Sequence, residues 1–359
     1  MPHIPITAGW FLALLSMLVV TLVTGTVCAA RWAPGSRRAR GWTAWACGGL
    51  SLILAGVTGL AFVNAHYGYY QWLDDLTNER SWPDGAGKGL HPDGGVLSAA
   101  MPGTTSKVTA ADAMIYLPPQ YWTQPSRAFP VLYLIHGTPG GPDDLFRAGR
   151  ASDAALAAAR SGFPLIVVAP SVGSDWTSDT ECVDGAQGQW DRYVSVDVVA
   201  AVERNLRTIR TREGRAIAGL SMGGYCALNL GLRHRDRFAT VVDLSGLTAP
   251  TFDSGLRALF GDVADLTAVV DANTPRSYVA RLPRVPLERV WLDCGQDDDT
   301  GPLADITAIA PRLQSRGFDV ALSTRSGGHE WAVWRAALAD SIPWAAAAMT
   351  ATTSLRSPQ

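Results

Sequence analysis

A serine flanked by glycines is the residue whose type and spacing most clearly predict chemical reactivity in this sequence. Ser221 is the centre of a G-x-S-x-G pattern at residues 219–223, between a strand-like run at residues 216–220 and a helix-like run at residues 225–232. On such a sharp strand-to-helix turn the serine hydroxyl projects from the sheet, and the crowded backbone requires small neighbours. The first amide of the helix, that of Met222, would point at a developing oxyanion. The pattern therefore predicts a nucleophilic serine, although a plain glycine-rich turn can contain the same five residues.

A serine nucleophile needs a histidine base, and His329 is the best placed of the six histidines. It follows two glycines after the last predicted strand, where a loop can reach back over the edge of the sheet. The acid should follow an earlier strand, and aspartates occupy residues 297–299 after the strand-like run at residues 290–294. We predict Asp298 as the acid and Asp297 as the second choice, and a solvated acidic loop is the alternative. The run lacks the ligand alternation of a calcium loop, so neither a metal site nor a cofactor is expected.

The second oxyanion donor is expected in the loop after the strand-like run at residues 131–135. This loop, at residues 136–141, reads H-G-T-P-G-G and is similar to the His-Gly-Gly loops of esterases. We predict that the Thr138 amide is the donor, because the proline that follows it has no amide hydrogen. His136 and Gly137 are predicted to contact the substrate.

Strand-like and helix-like runs alternate from residue 108 onward, which predicts an α/β fold. The strand-like runs lie at residues 113–117, 131–135, 165–169, 216–220, 240–244, 290–294 and 320–323, and the helix-like runs at residues 144–160, 193–206, 225–234, 303–316 and 331–348. Such alternation indicates a mostly parallel sheet with helices on both faces and catalytic loops at the carboxyl ends of the strands. The catalytic domain is expected to span residues 106–350, with a flexible tail at residues 351–359. Short helices within residues 246–288 are expected to cover part of the site.

Two windows at the start of the chain, residues 1–30 and 41–63, contain no Lys, Arg, Asp or Glu. Each holds enough consecutive apolar residues to cross a hydrocarbon core of roughly 30 Å. We predict a two-helix transmembrane hairpin within residues 1–65, with spans at about residues 8–30 and 42–63 in a lipid bilayer. A cleaved signal peptide is an alternative for the first window, and a buried core helix for the second.

The loop between the two predicted spans indicates their orientation. Residues 31–40 carry four arginines and no acidic residue, so the positive-inside rule places this loop in the cytoplasm. The catalytic domain, joined to the spans by a predicted linker at residues 66–105, would then be extracytoplasmic at a plasma membrane. The net charge of -2 offers no basic field for nucleic acid.

From residue 106 to about residue 348, the chain resembles an esterase family with the α/β-hydrolase fold that includes feruloyl esterases, S-formylglutathione hydrolase and the trehalose mycolyltransferases. The stretches that carry the resemblance are Gly173-Ser174-Asp175-Trp176, Gln189-Trp190-Asp191-Arg192-Tyr193, Gly219-Leu220-Ser221-Met222-Gly223-Gly224, Leu244-Ser245-Gly246 and His329-Glu330-Trp331. By this resemblance, the loop with Asp175 and Trp176 would line the acyl site, and Trp331 would contact the substrate.

Mycolyltransferases differ from this chain in parts of the pattern. They have an aspartate at the position of His136, alanines at those of Gly223 and Gly224, and a glutamate as the acid. At these positions the chain is more similar to a hydrolytic esterase. Those transferases are also secreted, whereas two spans are predicted here.

The predicted function is a membrane-anchored, extracytoplasmic serine esterase that acts through an acyl-enzyme on a lipid or cell-envelope ester. The alternative is an acyltransferase that passes the acyl group to a sugar or lipid hydroxyl; peptidase, thioesterase and non-enzymatic binding functions rank below it. No protein partner is indicated. The spacing of the five cysteines resembles neither a metal site nor a disulfide framework. Cys226 and Cys294 are expected to be buried thiols, and Cys182 has no evident partner.

Overall fold

Two long apolar helices form the first of the two units into which the chain divides, Met1–Ser81. The computed structural model describes residues 6–32, 37–67, 93–284 and 288–356. Helix α1 spans Gly9–Trp32 and helix α2 spans Arg37–Tyr67. Each contains a window long and apolar enough to cross a membrane, and these windows are 0% and 11% buried. This exposure argues against the alternative that the second window is a buried core helix. The length and composition of the first window fit a signal sequence as well as a membrane span.

The second unit, Trp82–Gln359, contains the predicted succession of strands and helices. Its described strands are β1 Gly95–Ala99, β2 Ala113–Leu117, β3 Val131–Ile135, β4 Ile166–Ala169, β5 Asp184–Gly185, β6 Gly188–Gln189, β7 Arg215–Leu220, β8 Thr240–Leu244, β9 Arg289–Gly295 and β10 Asp319–Arg325. Its described helices are α3 Gln120–Thr123, α4 Pro142–Arg147, α5 Ala151–Arg160, α6 Trp190–Arg192, α7 Val199–Asn205, α8 Met222–Arg233, α9 Leu256–Phe260, α10 Leu266–Ala272, α11 Pro275–Tyr278, α12 Pro302–Ser315 and α13 Trp331–Arg356. Each of the seven predicted strands is confirmed.

Eight of these strands form one sheet in the order β1-β2-β4-β3-β7-β8-β9-β10, and β5 and β6 form a separate hairpin. From β4 to β10 all neighbouring strands are parallel, whereas β1 and β2 join antiparallel. Every residue of β2, β3, β4, β7 and β8 is buried, so both faces of the sheet are covered at its centre. Helices α7, α8 and α12 share one hydrophobic core with the sheet. The predicted α/β class with a mostly parallel sheet is therefore confirmed.

Four local features differ from the prediction. Strand β1 lies within the residues predicted as a linker. The helix predicted at residues 144–160 is interrupted between α4 and α5, where Arg150 adopts a left-handed conformation with φ of 53°. The helix predicted at residues 193–206 begins as a π-helical turn, Tyr193–Val198. Helix α13 continues to Arg356, into the predicted flexible tail.

The segment at residues 246–288 contains the expected short helices, α9 to α11, and its residues 285–287 lie outside the described part of the chain. Within it, Leu259 and Phe260 form a small cluster with Val183, and this cluster is separate from the main core. Thr251 donates from its amide and its hydroxyl to Glu181 Oε1, at 3.0 and 2.9 Å. These contacts fasten the first part of the segment to the loop that precedes β5.

Candidate active site

The turn at Ser221 joins β7 to α8 and is closely packed. Ser221 has a φ of 56°, a conformation that costs energy for a residue with a side chain. A Cβ atom at Gly219 would collide with the Gly223 carbonyl, and one at Gly223 would collide with the Ile135 carbonyl. The Ser221 amide donates to the Leu244 carbonyl at 2.8 Å, which holds the turn against β8. The two glycines of the motif are therefore required by close contacts between backbones.

The structure brings Ser221, His329 and Asp298 together at the carboxyl ends of the strands. Ser221 Oγ lies 2.8 Å from His329 Nε2. His329 Nδ1 lies 2.8 Å from Asp298 Oδ2. His329 belongs to the loop between β10 and α13, and Asp298 to the loop after β9. The second-choice acid, Asp297, instead donates its amide to the Gly327 carbonyl at 3.0 Å and has an exposed side chain.

The carboxylate of Asp298 is buried but well supplied with hydrogen-bond donors. Burial alone would raise the pKa of Asp298, but the hydrogen bonds from His329 and Thr300 outweigh burial and lower the pKa of this carboxyl below its ordinary value. The hydroxyl and the amide of Thr300 lie 2.6 and 3.2 Å from Asp298 Oδ1. An ionised Asp298 accepts the Nδ1 hydrogen of a neutral His329, so Nε2 is left as an acceptor for the Ser221 hydroxyl. Thr300 was not predicted from the sequence, although a threonine two residues after an aspartate is typical of such a turn.

Two tryptophans of α13 support the ring of His329. Trp334 packs edge-to-face on His329, with the ring centroids 4.8 Å apart. Trp331 packs in the same way on Trp334, with the centroids 5.3 Å apart, and is 4% exposed. Trp331, predicted to contact the substrate, is thus placed in the packing around His329 and not on an open surface.

The loop after β3 runs directly against the serine. A Cβ atom at Gly137 would lie 3.2 Å from Ser221 Cβ, so the backbone at Gly137 is in near contact with that side chain. Thr138 is the next residue, and its hydroxyl donates to the Ser178 carbonyl at 2.9 Å. Within the described part of the chain, the amides of Thr138 and Met222 donate to no other protein group. Among the described residues, the fold thus leaves both amides without a protein acceptor, and their role as oxyanion donors at Ser221 stays a prediction.

His136 braces this loop with its buried ring. It is 2% exposed. The Val172 amide donates to His136 Nε2 at 3.1 Å, so Nδ1 carries the ring hydrogen and donates to the Gly137 carbonyl at 2.8 Å. Burial lowers the pKa of His136, which keeps the ring neutral. Both ring nitrogens of His136 bind the backbone, and its contact with a substrate stays a prediction.

The loop with Asp175 and Trp176 lies beside the loop after β3. The Gly140 amide donates to the Trp176 carbonyl at 2.8 Å, and the Trp176 residue is 67% exposed. Asp175 accepts from the amide and the hydroxyl of Thr177, at 2.9 and 2.7 Å. These hydrogen bonds lower the pKa of Asp175. The structure thus places an exposed indole next to the loop that carries Thr138, and its contact with an acyl group stays a prediction.

A disulfide between Cys182 and Cys226 joins the loop after β4 to α8, with the Cα atoms 5.5 Å apart. The expectations that Cys226 is a thiol and that Cys182 has no partner are therefore wrong. The two cysteines are 44 residues apart in the sequence, and no spacing rule links them. Cys294 is a free, buried cysteine, as predicted, and burial raises the pKa of its thiol to about 12.

The chain is similar to known esterases in sequence. A Corynebacterium glutamicum protein whose function is uncharacterized is 29% identical over 266 residues, which are 70% of this chain and 62% of that protein. An esterase of Mycobacterium tuberculosis is 32% identical over 242 residues, which are 60% of this chain and 51% of that protein. The chain therefore spans about half to three fifths of the length of these relatives. A diacylglycerol acyltransferase/mycolyltransferase of Mycobacterium leprae is 28% identical over 140 residues, which are 35% of this chain and 42% of that protein.

The fold is similar to that of solved esterases. The structure of a ferulic acid esterase superimposes with a TM-score of 0.60 and 25% identity, and covers 71% of this chain and 98% of that one. An α/β-hydrolase fold is thereby shown for the second unit. Residues 107–345, well over half of the chain, match the model of the family described as "Putative esterase", and the chain belongs to this family.

Proposed function

We propose that this protein is a serine esterase with Ser221 as the nucleophile, His329 as the base and Asp298 as the acid. One observation carries the proposal: an unbroken line of two 2.8 Å hydrogen bonds from Ser221 Oγ through His329 to Asp298 Oδ2. Ester hydrolysis by such a triad needs this order of contacts, and membership of an esterase family supports the same chemistry.

The geometry supports a two-step reaction. In the first step, His329 Nε2 takes the hydroxyl hydrogen of Ser221 while Oγ attacks the ester carbonyl carbon, and the amides of Met222 and Thr138 donate to the resulting oxyanion. The oxyanion then collapses, and the alcohol leaves with the hydrogen from His329. In the second step, water gives a hydrogen to His329 and attacks the acyl carbon. The second oxyanion then collapses, His329 returns the hydrogen to Ser221 Oγ, and the acid is released. Asp298 stays ionised throughout and stabilises the imidazolium.

The substrate class and location are also part of the proposal. We infer that α1 and α2 anchor the enzyme in a membrane with the catalytic unit outside the cytoplasm, near lipid or cell-envelope esters. The arginines of residues 31–40 support this orientation. The Cys182–Cys226 disulfide supports it as well, because disulfides persist in oxidising compartments. Protease added to intact cells should then cleave the catalytic unit, and its protection until the cells are lysed would contradict this topology.

The assignment of the nucleophile is tested by labelling with a fluorophosphonate probe. Ser221→Ala should abolish labelling and lower ester turnover by about 10⁴-fold or more. Ser315→Ala is the matched control, because Ser315 is exposed and its hydroxyl donates to the Arg312 carbonyl of its own helix. Persistent labelling of the Ser221→Ala protein would show that another residue is the nucleophile.

An acyltransferase is the second candidate. It is supported by the similarity to a diacylglycerol acyltransferase/mycolyltransferase. The same triad serves both reactions, and the difference is whether water or an alcohol reaches the acyl-enzyme. Incubation with an activated acyl ester, with and without a sugar or lipid alcohol, distinguishes them: more transfer product than free acid indicates a transferase.

A further inference from the structure

Thr300 contacts both partners of the Asp298–His329 pair and has no part in the mechanism above. Its hydroxyl lies 2.6 Å from Asp298 Oδ1, and its amide lies 3.2 Å from the same oxygen. The hydroxyl oxygen also lies 3.3 Å from His329 Nδ1. Thr300 is thus the third corner of a triangle of polar groups on the side of His329 away from Ser221.

The chemistry of these groups decides which of them donates. A carboxylate can only accept, so the Thr300 hydroxyl donates its hydrogen to Asp298 Oδ1. The lone pairs of the Thr300 oxygen are then available to share the Nδ1 hydrogen of His329, which Asp298 Oδ2 accepts at 2.8 Å. Each carboxylate oxygen therefore has its own donor. The carboxylate cannot rotate about its Cβ–Cγ bond without breaking one of these hydrogen bonds.

We propose that Thr300 is a positioning residue: its hydroxyl fixes the plane of the Asp298 carboxylate and thereby orients His329 toward Ser221. The inference rests on the proposed function of Ser221, His329 and Asp298. The carboxylate matters most when His329 becomes an imidazolium, because the positive ring then depends on Asp298 for orientation and charge. Loss of the hydroxyl therefore affects the chemical steps and leaves substrate binding unchanged.

Two features allow the hydroxyl to be tested apart from the fold. Thr300 is exposed, so its replacement leaves no cavity in the core. Its backbone amide keeps the hydrogen bond to Asp298 in every variant, which preserves the turn. Thr300→Val has nearly the shape of threonine without the hydroxyl, and Thr300→Ser keeps the hydroxyl.

The experiment is steady-state kinetics of the full chain with a chromogenic short-chain ester. For Thr300→Val we expect kcat to fall about tenfold to a hundredfold, the effect of one hydrogen bond to a charged group, with KM changed by less than about twofold. Thr300→Ser should restore kcat to within about threefold of the unmodified protein. Thr307→Val is the matched control, because Thr307 is exposed and its hydroxyl donates to the Leu303 carbonyl within α12. It should leave both constants unchanged.

The outcomes separate this inference from the proposed function. Unchanged kcat in Thr300→Val, or a loss that Thr300→Ser does not restore, overturns the role of Thr300. Ester turnover that survives Ser221→Ala overturns the proposed function itself. Thermal unfolding of each variant verifies the fold, and Thr300→Ala provides the same comparison if the valine variant is unstable.

Discussion

Removal of the Cys182–Cys226 disulfide should weaken the catalytic unit by a predictable amount. The bond closes a loop with a sequence separation of 44 residues. Loop-closure entropy for that length corresponds to about 4 kcal/mol of stabilisation at 25 °C. For a unit of this size, such a loss lowers the unfolding temperature by about 10 °C.

The measurement is thermal unfolding of the full chain, followed by tryptophan fluorescence, for the double variant Cys182→Ala with Cys226→Ala. Replacement of a buried sulfur also loses packing, and Cys294→Ala measures this cost alone, because Cys294 is a buried, free thiol. The unfolding temperature of the double variant should fall by clearly more than twice the fall measured for the Cys294→Ala protein. Reducing agent should lower the unfolding temperature of the unmodified protein toward that of the double variant, which also lacks the two sulfurs, and should leave the double variant unaffected.

Two results would refute this reasoning. If the double variant unfolds within about 2 °C of the unmodified protein, the loop is constrained in the unfolded state by something other than this bond. If alkylation of the denatured, unreduced protein modifies Cys182 and Cys226, the disulfide is absent. The predicted difference in unfolding temperature then has no cause.

Two further predictions concern the site and its neighbouring loop. Gly137→Ala should lower kcat about tenfold to a hundredfold, because its Cβ would lie 3.1 to 3.3 Å from Leu220 and Ser221 and would displace the loop that carries Thr138. Gly141→Ala, whose Cβ would meet only Asp143 at 3.3 Å, is the control, and equal kinetics of the two variants would contradict the prediction. Burial raises the pKa of Glu181 to about 8 from 4.5, so the folded protein keeps a proton that the unfolded chain releases, and stability falls as pH rises through this window. The free energy of unfolding, measured with denaturant, should fall by roughly 3 kcal/mol less between pH 5 and pH 8 in Glu181→Gln than in the unmodified protein. An identical pH dependence of the two proteins would show that Glu181 does not cause the fall.

The central strands could be predicted from sequence because each is an apolar run that is buried on both faces. Strand β1 was missed because only Gly95 and Val96 are buried in it, so it shows no such run. The interruption at Arg150 was missed because nothing in its side chain favours a left-handed conformation. Such features depend on contacts with distant parts of the chain, which local patterns do not contain.

The order of Ser221, an aspartate and His329 along the chain could be predicted because the carboxyl ends of parallel strands meet at one edge of the sheet. The choice between Asp297 and Asp298 needed the structure, since one residue of difference reverses the direction of the side chain in that loop. His136 and Trp331 were assigned to the substrate because they adjoin functional motifs. Adjacency in sequence does not say where a side chain points, and both are buried.

The small cluster around Leu259 and Phe260 packs separately from the main core. This part of the chain can therefore be altered without changing the packing of the catalytic strands. Its further members, Phe252 to Val270, pack on one another and on Val183 and stay apart from the core that supports the Ser221 turn. Helix α11 is different, since Tyr278 donates to the Asn229 side chain of α8 at 2.9 Å. Residues 252–272 can therefore be exchanged with the corresponding stretch of a relative, as a unit, at little cost to the strands that hold the triad. The boundary for such an exchange lies between α10 and α11.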